Sequence, residues 1–160
     1  MLKLVKALHL LGAMLFFGSI LAHVTTGLIP GAEDDPQTAL VIRQAIAIAT
    51  SYLTMPGLIL LLVTGTSMIV KARLPIFRLR WLTLHALFGL LIALNAALVL
   101  YPTGREALEV ATQVAAGLLP IDQLHALGAR EATFGPVNVL LCLATVLVAV
   151  IRPRLGKARA

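Results

Sequence analysis

Four apolar runs constrain this chain more than any other feature, because each is long enough to cross a bilayer. A hydrocarbon core of about 30 Å takes roughly 20 residues of helix. The runs cover about residues 4–29, 40–70, 81–101 and 136–151 of a 160-residue sequence. With 59% apolar and 12% charged residues, the composition excludes an ordinary soluble domain. In lipid such helices bury small-residue faces against one another. The expected fold is all-α: a transmembrane four-helix bundle forming a single domain over residues 1–160, with both termini on the same side.

The breaks between runs carry turn chemistry. "PGAEDDPQ", Pro30 to Gln37, is an acidic turn, and "KARLPIFRLR" is a basic linker. The second run is longer than a span needs and holds Pro56 and Gly57, which predict a kink. Residues 103–131 read as an outer amphipathic segment. Thr103 and Glu106 have capping-box spacing, and Leu108, Ala111, Ala115, Leu118 and Leu119 share a helical stripe. One or two short helices lying on the membrane surface or over the bundle mouth are expected there. Lys3 and Lys6 ahead of "SILA" give the first run the look of a signal peptide, but it is read as a retained span.

Charge placement sets the expected orientation. Ten of the thirteen basic residues fall on one side of a four-span topology: Lys3, Lys6, Lys71, Arg73, Arg78, Arg80, Arg152, Arg154, Lys157 and Arg159. All seven acids fall on the other, with Arg43, Arg105 and Arg130. The positive-inside rule then puts both termini in the cytoplasm of a bacterium, with the chain multi-pass in the inner membrane. The formal net charge of +6 reflects topology and headgroup contact, and no nucleic-acid partner is expected.

Histidines at membrane depth are costly, so they point to pairing, ligation or a path. His9 lies five residues inside Leu4, and His85 lies five residues inside Arg80. Both therefore stand about 8 Å below the same boundary. Facing imidazoles from two spans suit the axial positions of a haem iron, provided each partner nitrogen has an acceptor to fix its tautomer. His23 is fourteen residues beyond His9, about 21 Å along the helix and within about 40° of the same face. Met55 comes within a turn or so of His23 in depth, and His125 in the outer connection can approach from above. Gly12, Gly18 and Gly89 leave room either for a flat macrocycle or for close helix packing. For each histidine, an interfacial hydrogen bond is the plainer alternative. Asn95 and Asn138 are expected to hydrogen-bond between helices.

Other chemistry is sparse. Cys142, the one cysteine, sits in an apolar run and reads as a small buried hydrophobe. Glu33, Asp34 and Asp35 read as a solvated turn. No nucleophile, phosphate-loop or zincin motif is present.

"KALHLLGAMLFFGS", "YLTMPGLILLLVTG" and "RWLTLH" resemble small bacterial four-helix membrane proteins. More distantly, they resemble HemJ-type protoporphyrinogen oxidases and CopD-like copper-resistance domains. That resemblance implies a haem-b-binding bundle in which His9 and Met55 match functional positions. The chain departs from the HemJ-like pattern at His85, where a lysine is usual, and lacks an arginine late in the first span. Depth pairs His9 with His85, whereas the resemblance pairs His9 with Met55.

The function expected is therefore haem b binding by His9 and His85, with His23, Met55, Gly12 and Gly89 as further cofactor contacts. The role would be electron transfer, alone, as a homo-oligomer or as a subunit of a membrane redox complex. The rivals are a non-catalytic accessory or assembly subunit, and HemJ-like porphyrinogen oxidation or copper handling.

Overall fold

The computed structural model describes residues 2–29, 31 and 34–153. Glu33 of the acidic turn and Arg154, Lys157 and Arg159 of the basic tail lie outside the described residues. The helices are α1 (Leu2–Thr26), α2 (Pro36–Ala49), α3 (Met55–Lys71), α4 (Arg80–Asn95), α5 (Tyr101–Ala115) and α6 (Asp122–Ile151). A π-turn at Thr50–Thr54 joins α2 and α3, and another at Ala96–Leu100 joins α4 and α5. Four long helices result: Leu2–Thr26, Pro36–Lys71, Arg80–Ala115 and Asp122–Ile151, each long and apolar enough to cross a membrane. There is no strand among the described residues.

Local chemistry explains most ends. Asp35 caps α2, its carboxylate accepting from the Thr38 amide at 2.8 Å and the Thr38 hydroxyl at 2.7 Å, with Pro36 in the first turn. Those two bonds, the hydroxyl's first, hold the Asp35 carboxyl below its ordinary range. α1 stops where the hydroxyls of Thr25 and Thr26 fold back onto the carbonyls of Ala22 and His23.

Two expectations fail at prolines. The third helix does not end at Tyr101, and the fourth does not wait for Pro136. Proline removes an N–H and crowds the carbonyl four residues back. Here a π-turn widens the helix just ahead of Met55-Pro56 and again ahead of Tyr101-Pro102. The disturbance expected as a kink at Pro56 takes this form. Pro136 lies inside α6. Residues 103–131 accordingly continue the third and fourth helices, and no separate surface helix forms there. Thr103 sits inside α5, 1% exposed, so it is no cap. The apolar stripe packs inward: Ala107 and Ala111 meet Ala39 of α2 and Leu124 of α6. Leu118, by contrast, is exposed.

Polar contacts fix the helix pairing. His9 meets Thr64 and Ser19 meets Thr54, so α1 and α3 run antiparallel. His85 meets Thr145 and Asn95 meets Asn138, so α4 and α6 do too. Phe16, Ile20, Leu58, Ile92, Ala96 and Cys142 form the mid-bundle core. Cys142 is packed there as expected. Large apolar side chains such as Met14, Leu62 and Leu140 point outward, as suits a lipid solvent.

α1 and α3 cross at Gly12 and Gly57. A Cβ on Gly57 would stand 2.7 Å from the Phe16 amide nitrogen and 3.1 Å from the Gly12 carbonyl oxygen. A Cβ on Gly89 would meet nothing within 4 Å. Gly57→Ala should therefore force the pair apart and lower stability by about 1–3 kcal/mol, while Gly89→Ala should lose nothing. Thermal unfolding in detergent separates the two cases, and equal behaviour would contradict the crossing.

Candidate functional site

At the basic end of the bundle two polar contacts bring all four long helices together at one level. His9 on α1 places Nδ1 2.9 Å from the Thr64 hydroxyl oxygen on α3. That hydroxyl lies 2.5 Å from the Leu60 carbonyl, to which it donates, so its oxygen accepts from His9 Nδ1–H. His85 on α4 donates Nδ1–H to the Thr145 carbonyl of α6 at 3.2 Å, because a carbonyl only accepts. Both imidazoles are thus held in the tautomer that leaves a lone pair on Nε2. Their ring centroids are 6.4 Å apart and their planes are tilted by 51°, so the rings are not stacked.

The glycines near the rings differ in their surroundings. Gly65, next to Thr64, gives the His9 ring its place, since a Cβ there would stand 3.3 Å from Cε1. Gly89, one turn beyond His85, faces open space. Gly12 does not: its face is filled by Gly57, Leu60 and Leu61 of α3. Backbone approach is close within the pairs α1–α3 and α4–α6 and sparse between them at this end. Nearer the surface, the Arg152 guanidinium sits 5.2 Å from the centre of the Trp81 ring.

Met55 does not reach this level. It lies nine residues from Thr64 along the same helix, about 14 Å away. Together with His23, it lines a cavity of about 1280 Å3 in the half of the bundle away from the basic end. His23 Nε2 is buried with no hydrogen-bond partner. The Arg43 guanidinium, 4% exposed, pairs with Glu131 in the same wall, and both π-turns contribute to the lining. Asn95 donates to Asn138 at 2.9 Å and to the Phe134 carbonyl at 3.1 Å. His125 is on the outer surface, 3.9 Å from Asp122, and is not part of the cavity wall. No cluster of three or more His, Cys, Asp or Glu suited to a metal ion occurs among the described residues.

Sequence reasoning missed the groups that hold the histidines. Thr64 and Thr145 each stand seven residues from a basic helix end, at Lys71 and Arg152, about 10 Å deep. The depth rule that levelled His9 with His85 would have levelled them as well. Arg43 and Glu131 each interrupt an apolar stretch, and two opposite charges at similar depth are the signal that was available.

A family model described as "Predicted integral membrane protein (DUF2269)" matches residues 3–153. No curated protein matches the chain. No solved structure matches it either.

The ion pair sets an expectation for stability. Arg43→Leu leaves the partly exposed Glu131 carboxylate without its guanidinium and should cost about 1.5–3 kcal/mol. Arg43→Leu with Glu131→Leu should recover most of that loss. Melting in detergent tests the cycle, and additive losses would show the pair to be uncoupled.

Proposed function

We propose that this chain, which belongs to the DUF2269 family of predicted integral membrane proteins, carries haem b between His9 and His85. It would pass electrons in the bacterial cytoplasmic membrane, alone or as the membrane subunit of a redox assembly. The supporting observation is the doubly anchored imidazole pair. Both Nδ1 protons are committed to protein acceptors, which leaves two Nε2 lone pairs on rings 6.4 Å apart. His9 and His85 are the residues that would hold the iron through those two nitrogens.

Bound there, haem supplies reversible one-electron exchange. The residues of the chain do the rest. Thr64 and the Thr145 carbonyl orient the rings and raise their basicity. Gly89, one turn beyond His85, has no neighbour within 4 Å of where a Cβ would stand. Lys71, Arg78 and Arg80 crowd the same end and suit the carboxylates of the macrocycle.

A reduced-minus-oxidised spectrum of the detergent-purified protein should show a sharp α band. His9→Ala and His85→Ala should abolish it while the bundle still melts cooperatively, at a temperature lowered only by the lost interhelical hydrogen bond. Thr64→Val should weaken haem retention about tenfold or more. A colourless preparation from haem-replete cells would overturn the assignment.

The basic end is placed in the cytoplasm by the positive-inside rule. A fluorescent protein fused after residue 160 should then be bright, and a C-terminal alkaline phosphatase fusion inactive. The opposite pattern would invert the topology.

A further inference from the structure

We propose that the turn between α3 and α4, residues 72–79, binds an anionic phospholipid, with Arg73 and Arg78 on its phosphate and Phe77 seated where headgroups meet acyl chains. Charge is the first observation. The turn and its flanks carry Lys71, Arg73, Arg78 and Arg80, and the start of α1 adds Lys3 and Lys6 at the same end. The chain has no acid between Asp35 and Glu106, so none interrupts this cluster. Arg73, Arg78 and Arg80 are all exposed. A cation cluster of this size beside a span attracts anionic headgroups.

Shape and depth identify the occupant. Phe77 is 89% exposed, the highest value for a large apolar side chain among the described residues. The backbone on both sides of it is tied down. The Pro75 carbonyl accepts from the Arg78 amide at 2.9 Å and the Leu79 amide at 3.1 Å, and the Ile76 carbonyl accepts from the Thr83 hydroxyl at 2.6 Å. Arg73 closes α3 at φ 49°, a left-handed position that glycine usually fills, with its own amide and that of Leu74 bonded back to Val70 and Ile69. α3 ends at Lys71 and α4 begins at Arg80, so the turn lies in the headgroup layer, about 5–8 Å deep outside the hydrocarbon. A bare aromatic ring held at that level meets lipid. A free anion would satisfy the arginines and leave the ring uncovered, whereas a phospholipid engages both.

The inference does not rest on the haem proposal, and its test does not read colour. The full chain is reconstituted in phosphatidylcholine, and the motionally restricted fraction of spin-labelled phosphatidylglycerol is compared with that of spin-labelled phosphatidylcholine. At low salt phosphatidylglycerol should associate about three- to tenfold more strongly, and the preference should fall as salt rises. Arg73→Gln with Arg78→Gln should bring the ratio close to one at an unchanged melting temperature. Arg105→Gln with Arg130→Gln, which removes two exposed arginines at the opposite end, should leave it unchanged. A nitroxide on Phe77→Cys, in a Cys142→Ala background, should be reached by dissolved oxygen in preference to a water-soluble nickel complex. Equal association of the two lipids, a ratio unaltered by loss of Arg73 and Arg78, or a Phe77 label open to nickel would each overturn the proposal. So would displacement of the lipid by inorganic phosphate beyond that by chloride of equal ionic strength, which would make the site one for a free anion.

Discussion

Lipid offers no hydrogen bonds, and the bundle is organised around that fact. Four side-chain contacts join neighbouring helices across the bundle. His9 is matched to Thr64, Ser19 to Thr54, His85 to Thr145, and Asn95 to Asn138. These contacts do what hydrophobic burial does in water, because apolar packing gives little preference for one helix face over another when the solvent is itself apolar. They set pairing, direction and register together. Two pairs along one interface, ten residues apart on each helix in His9/Ser19 and Thr64/Thr54, leave no alternative registration.

The same constraint explains what was legible in the sequence. Apolar length located all four helices, and basic helix ends gave a common origin for measuring depth. That suffices to level His9 with His85 from the sequence alone. The misreadings arose where backbone chemistry overrode composition. Pro102 and Pro136 looked like boundaries because proline usually ends a helix. A widened turn ahead of Pro102 let the third helix continue, and α6 runs through Pro136. Thr103 illustrates the cost of the boundary error: spacing that fits a cap is uninformative inside a helix. The anchoring roles of Thr64 and Thr145 were hidden for another reason, since threonine is unremarkable in an apolar run until its depth is compared with that of a histidine.

The two halves of the bundle differ in kind. The inner half is two tight antiparallel pairs bridged by imidazoles. The other half is held by contacts among Ala39, Ala107, Ala111 and Leu124 and by the Arg43–Glu131 pair, beside a large, partly open hollow. Histidines fourteen residues apart on α1 thus face very different surroundings. His9 is hydrogen-bonded and beside another ring, whereas His23 is buried at a hollow's edge.

The paired π-turns have a geometric effect on how the halves relate. Each wide turn carries one residue more than an α-helix would, which rephases everything on one side of it by about 100° relative to the other. The second and third long helices each contain such a joint, and the joints border the hollow. Side chains facing the imidazoles and side chains facing the hollow are therefore aimed independently, although they share the same two helices. One chain of modest length can in this way present two unlike interiors, one toward each leaflet.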